Sequence, residues 1–211
     1  MLEILYKGGN CVMLSTKKST VLIDGDLSVL GGTPVAAKGV VSIGTESRFI
    51  SREGAIVAID GPGEYEVADV SIRGVAAQRH IDSGSDKKTS TIYRVEIGEY
   101  RVAIVGNVSP ELNENQLEEI GVVDIAVIPI GGNGYTLDAT AASKIARQID
   151  AKAVIPVHYA DKNLKYEVAQ DELEVFTKEF AQPIENVGDR YKLKGLPSLP
   201  ASMTTVVVDR Q

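Results

Sequence analysis

Short apolar runs, each cut off by turn residues, fill the first half of the chain. Residues 2–6, 11–15 and 20–24 read as three strands, joined by the hairpin-sized links Lys7-Gly8-Gly9-Asn10 and Thr16-Lys17-Lys18-Ser19. Residues 39–43 and 55–59 add two more. Gly61-Pro62-Gly63 marks a turn. After it, 64–67 and 70–75 form a further hairpin, and a polar loop over 82–90 closes this half.

The second half alternates between strands and helices. Strands at 91–97 and 100–105 pair across Gly98-Glu99. A helix is predicted over 112–120, with Pro110 early and Gly121 as its stop. A buried strand at 124–129 precedes a helix at 137–149, whose Ala139, Ala142, Ile145, Ala146 and Ile149 share one face. A strand at 153–157 and a helix at 167–180, with Leu173, Phe176 and Phe180 along one stripe, complete the pattern. Residues 195–200 carry two prolines, and 204–208 suggest a terminal strand, so 195–211 is expected to be flexible or appended. Strands first and a β-α-β-α tail second fit an α+β fold. Two mixed sheets packed face to face with helices outside, in one domain over 1–211, accommodate that order.

Composition narrows the function. With 211 residues, 44% of them apolar, the chain can bury a core without disulfides or a structural metal. A formal charge of -7 argues against nucleic acid or an acidic membrane as partner. Cys11 is the single cysteine, which excludes an intramolecular disulfide and fits a reducing cytoplasm; in its apolar stretch it is a poor nucleophile. No apolar run approaches the roughly 20 residues of a membrane span. The opening residues already read as a strand rather than a signal peptide. Cytoplasmic is the expected location.

Candidate chemistry is sparse. His80 and His158 are the only histidines. His158 closes Ile155-Pro156-Val157-His158-Tyr159, where a strand gives way to a loop and an imidazole can face a site or a metal. Asp60 and Glu64 flank a Gly-Pro-Gly turn and could do acid–base work, although the turn explains the segment equally well. Gly131-Gly132-Asn133-Gly134 follows a strand and precedes a helix, but lacks both the G-x-G-x-x-G spacing and a P-loop lysine. Asp138 is placed to cap that helix. Tyr159 is a cleft wall or packing, and Arg48 is a cation able to bind a small anion.

Several pieces, in this order, resemble the metallo-β-lactamase fold, an αβ/βα sandwich. More narrowly they resemble predicted zinc-dependent hydrolases related to ascorbate-6-phosphate lactonase. They are Tyr6-Lys7-Gly8-Gly9-Asn10-Cys11, Val21-Leu22-Ile23-Asp24, Asp60-Gly61-Pro62-Gly63-Glu64-Tyr65-Glu66-Val67 and Val70-Ser71-Ile72-Arg73-Gly74-Val75. The second half adds Val102-Ala103-Ile104-Val105-Gly106-Asn107, Val127-Ile128-Pro129-Ile130-Gly131-Gly132, Tyr135-Thr136-Leu137-Asp138 and Ile155-Pro156-Val157-His158-Tyr159.

The resemblance implies a dinuclear metal site held by an H-x-H-x-D-H signature, a bridging Asp and further histidines, with the metals activating water for hydrolysis. Here the signature positions carry Thr45, Ser47, Phe49 and Ile50; the bridging Asp is Asn107, and the family's early Gly-His-Ser-Cys piece reads Gly8-Gly9-Asn10-Cys11, without its His. His80 and His158 match the third and last ligand positions. The first expectation is therefore a non-catalytic homologue without cofactor that binds a small anion or a protein, with Thr45, Ser47, Arg48, Asp60, Asp82, Asn107, Tyr135, Asp138 and Tyr159 lining the cleft. The alternative is an active hydrolase of a lactone or phosphoester holding zinc, manganese or iron on His80 and His158. That version needs a third ligand from Asp82, Asp60 or Glu46. A structural role in a homo-oligomer is a third reading.

Overall fold

In the computed structural model, which describes residues 1–80 and 89–211, the chain opens with an antiparallel meander. It comprises β1 (Leu2–Gly8), β2 (Cys11–Ser15) and β3 (Thr20–Ile23), followed by β4 (Val41–Ile43) and β5 (Val57–Ile59), which add in parallel. The chain then crosses to a second sheet through β6 (Gly63–Val67), β7 (Val70–Gln78), β8 (Thr89–Ile97) and β9 (Tyr100–Ile104). The helix α1 (Glu114–Ile120) leads to β10 (Ile125–Pro129), and α2 (Ala139–Ile149) leads to β11 (Ala153–Val157). After α3 (Leu173–Phe180) come β12 (Ile184–Asn186), β13 (Tyr191–Leu193) and β14 (Thr204–Val207). The sheet orders are β13-β1-β2-β3-β4-β5 and β12-β14-β11-β10-β9-β8-β7-β6.

Side-chain alternation explains the layering. In β1, Leu2, Ile4 and Tyr6 point inward, as a period of two requires. They meet Ile125, Val127 and Ile155 of the second sheet in the core between the sheets. Strand β10 is buried on both faces: Ala126 and Ile128 pack instead under the helices with Ala142, Ile145 and Phe176. Burying one such aliphatic side chain contributes about 1.5–3 kcal/mol. All three α-helices of the described residues belong to the second sheet's outer layer. The first sheet is covered by a 3-10 turn (Leu27–Leu30) and irregular loops, whose Leu27, Leu30 and Phe49 pack on Cys11 and Leu22. No helix among the described residues is long and apolar enough to cross a membrane.

Four local expectations need correction. The helix predicted at 167–180 begins only at Leu173, because the preceding backbone is committed elsewhere: Asp171 N–H donates to Gly131 O (2.7 Å) and its carbonyl accepts from Ala160 N–H (2.9 Å). Pro110 does not open α1; Asn113 does, through a reciprocal capping box with Gln116. The expected polar loop shrinks: Thr89 and Ser90 already belong to β8, while 81–88 lie outside the described residues. Residues 195–211 are not appended. Strand β14 lies between β12 and β11, and Arg210 and Gln211 bond back to β1 through Lys7 O and Tyr6 O.

Candidate functional site

The strands β9, β10 and β11 run parallel, so the loops that follow them leave the second sheet at one end. These loops carry Asn107, Tyr135 and His158. Strand β7 points the same way, being antiparallel to β8, which is antiparallel to β9, and it ends at Arg79 through a bridge between Arg79 and Val108. Facing them, the loop after β4 supplies Thr45, Glu46 and Arg48, and the β1–β2 turn supplies Asn10. The close approach of the two sheets' loops depends on Gly106, which has φ +67°; a Cβ there would lie 2.8 Å from that of Thr45.

Glu46 is the hub. Its Oε2 accepts from Arg48 Nε (3.0 Å) and Arg79 Nη1 (3.0 Å), and its Oε1 accepts from Asn107 Nδ2 (3.1 Å). Asn107 Oδ1 in turn accepts from Asn10 Nδ2 (3.1 Å). Arg48 reaches outward as well, donating to Tyr135 Oη (2.7 Å) and Glu167 Oε1 (2.9 Å), and its guanidinium lies 4.6 Å over the Phe49 ring. Burial works against its charge, but Glu46, Tyr135 and Glu167 more than compensate and keep the guanidinium protonated. Beneath, Thr45 gives its N–H (2.7 Å) and hydroxyl (2.6 Å) to the buried Asp24 carboxylate. Burial still pushes Asp24 up to about 7.

His158 sits in a second part of the site. It follows β11 with φ +53°, is fully buried, and stacks on Tyr135 (centroids 5.4 Å apart) with Tyr166 tilted against it at 4.9 Å. Its Nδ1 lies 3.1 Å from Gln170 Oε1. Because Gln170 Nε2 donates to Val168 O, the amide presents its oxygen to the ring. Nδ1 is therefore the protonated nitrogen, and Nε2 keeps a bare lone pair with no partner. Gly131 makes this contact possible: a Cβ there would lie 2.2 Å from Gln170 Oε1. Burial lowers His158 to about 4, so the imidazole is neutral. Asn10 Oδ1 and Thr136 Oγ1 are also buried without a partner.

The predicted site residues divide accordingly. Arg48, Asn107, Tyr135 and Thr45 come together with Glu46. Ser47 is exposed at the rim, and Phe49 and Ile50 are buried apolar residues. His80 is half-buried and gives its N–H to Asn107 O (3.1 Å). Asp60 does not join the group, since its carboxylate pairs with Arg52. Asp138 accepts from Ala141 N–H (2.8 Å) as the N-cap of α2, and Tyr159 packs on Tyr6. Asp82 lies outside the described residues. Among those described, no group of three or more His, Cys, Asp or Glu converges. Sequence reasoning missed Arg79, Asp24, Gln170 and Tyr166. Charges ending the apolar runs at 20–24 and 70–79 could have flagged the first two; Gln170 and Tyr166 carried no such signal.

A family model described as β-lactamase superfamily domain matches residues 3–158. Among solved structures, a predicted Zn-dependent hydrolase of the metallo-β-lactamase superfamily from Thermotoga maritima is 26% identical over all of both chains, with a TM-score of 0.77. A predicted metal-dependent hydrolase from Parabacteroides distasonis is 14% identical over 100% of this chain and 94% of that one, with a TM-score of 0.64. The metallo-β-lactamase fold protein YhfI from Bacillus subtilis is 10% identical over 99% and 97%, with a TM-score of 0.57. Among curated proteins, none matches. These likenesses carry the superfamily and the fold, not a lactonase specificity.

Proposed function

The chain belongs to the β-lactamase superfamily, and from that premise we propose that it is a metal-independent member, a binding or regulatory protein rather than a hydrolase. One observation carries this reading: a buried carboxylate, Glu46, is bracketed by the guanidinia of Arg48 and Arg79 and by the Asn107 amide. Cations and hydrogen-bond donors supplied by the chain itself occupy the ground between the loops where a metallohydrolase of this family gathers its ligands.

The donor set does not fit a dinuclear centre. Thr45 spends its hydroxyl on Asp24, Asn107 spends both ends of its amide on Asn10 and Glu46, and Phe49 and Ile50 offer no donor atom. Two guanidinia beside the same carboxylate would repel a divalent cation. Of the third ligands a mononuclear version could use, Glu46 and Asp60 are already paired with arginines. Among the described residues that leaves the imidazoles of His80 and His158, and two are short of the three protein ligands of a catalytic zinc site.

The test is metal content by inductively coupled plasma mass spectrometry, on untagged protein purified without chelator, beside His158→Ala. We expect negligible zinc, manganese and iron in both, before and after incubation with zinc. Near-stoichiometric metal that is lost in H158A would overturn the proposal and favour a hydrolase with a reduced site around His80 and His158.

A further inference from the structure

Beside the Glu46 hub lies a cleft of about 950 Å³ whose lining runs from Pro34 to Lys38 and from Ser47 to Gly54, omitting Phe49, with Asp26 at one side. Its volume is within the range of small-molecule sites. Val35, Ala36 and Ile50 supply an apolar wall, and Arg48 contributes the cation it shares with the hub. The charges facing it are unequally committed. Asp26 accepts from Ser28, and Arg52 is paired with Asp60. Among the described residues, Lys38 and Glu53 have no ion-pair partner.

Arg48 is not saturated. A guanidinium carries five N–H donors, and its three bonds go to Glu46, Tyr135 and Glu167. The Glu167 arm is the weak one: its carboxylate is 53% exposed and comes from the loop before α3. That contact is a carboxylate supplied by the chain to the guanidinium that lines the cleft, although Glu167 itself does not line it. It indicates which chemistry this cation accepts, and it can be displaced at little cost because exposed pairs contribute little.

We propose that the cleft binds a small monocarboxylate with a short apolar tail. The head group displaces Glu167 from Arg48 and gains Lys38, and the tail lies along Val35, Ala36 and Ile50. Glu167 then acts as an internal competitor. The proposal rests on the metal-independent reading and gives its binding site a ligand class.

Isothermal titration calorimetry on the metal-stripped full chain tests it, with octanoate as probe and octylammonium and 1-octanol as controls. Expected is saturable octanoate binding that neither control matches. Glu167→Gln should tighten it and Lys38→Glu weaken it, each by about threefold, the size of one exposed charge contact. Absence of saturable octanoate binding in both wild type and E167Q would overturn the proposal, as would 1-octanol binding equally well. Affinity unchanged in both variants would remove the site from this cleft. Binding that appears only once zinc is restored would overturn the metal-independent reading with it, whereas failure in protein already shown to take up no zinc would count against the ligand alone.

Discussion

The two halves of the site solve the same problem in opposite ways. Around Glu46, both carboxylate oxygens are engaged, both Asn107 amide atoms are used, and the network crosses from one sheet's loops to the other's. Around His158, burial is just as complete, yet Nε2 and the Tyr166 Oη beside it have no partner; at the far end of the Glu46 network only Asn10 Oδ1 is left over among the side-chain atoms named above. Buried polar groups are nearly always satisfied, so orphans mark a function, a water or a ligand. The difference teaches that equal burial does not bring equal pairing: donors and acceptors match around Glu46, whereas an acceptor is left over at His158. The Glu46 half ties the loops of the two sheets together, a strut between them, whereas the His158 half holds an imidazole whose Nε2 has no partner.

The largest expected effect breaks the strut. Glu46→Gln leaves two guanidinia facing a neutral amide in a buried setting, and removing one partner of a buried pair costs about 3–5 kcal/mol. Urea unfolding should show that loss as a lower midpoint. Arg79→Met leaves the carboxylate with Arg48 and the Asn107 amide, and should lower the midpoint by a smaller amount. The double variant E46M/R79M should lose clearly less than the sum of E46M and R79M, because the two charges leave together. Additive losses would mean that Glu46 and Arg79 are not coupled and that the hub is not a strut.

Proton linkage sharpens the contrast next, since the two halves titrate in opposite senses. Asp24, under the Glu46 hub, is raised by burial from 3.8 to about 7. Through that window the folded chain holds a proton the unfolded chain has lost, so stability falls as pH rises, by about 4 kcal/mol at most. His158 is lowered by burial from 6.5 to about 4. There the unfolded chain holds the extra proton, so stability rises with pH, by about 3 kcal/mol at most. The two oppose each other between about 4 and 6.5. Wild type should therefore show a shallow stability profile over that range. Asp24→Asn should show stability rising with pH, and His158→Asn should show it falling. Parallel profiles in the two variants would refute the assignment.

The fold was far more legible in the sequence than the site. Apolar runs and turn residues located β1 to β3 and the β10-α2-β11 unit, because each element is set by its own alternation and caps. That Thr45, Ser47, Phe49, Ile50 and Asn107 stand where the resembled family carries metal ligands was an expectation from position alone. What these residues bond to could not be read that way. Glu46 entered only as a spare metal ligand, and nothing local says that it meets Arg79, 33 residues away. Gln170 lies in a segment whose periodicity suggested helix, until the loop after β10 claims its backbone. The short strands β12 and β13 went unread because Ile184–Asn186 is exposed throughout and Tyr191–Leu193 has only three residues. Networks that span the two sheets are tertiary facts, and only folding reveals them.

The smallest effect tests where the strut ends. Arg48 belongs to the hub through Nε and to the rim through Glu167, and the two bonds have similar lengths, 3.0 and 2.9 Å. Length is a poor guide to worth here. Glu46 is 5% exposed and Glu167 is 53% exposed, so water screens the second pair and competes for it. Glu167→Gln should therefore change stability by less than about 1 kcal/mol, and the small loss should shrink further at high salt. A loss as large as that of E46Q would show that the rim bond, not the buried hub, holds the two sheets' loops together. It would also leave Glu167 too tightly held to yield to an incoming carboxylate.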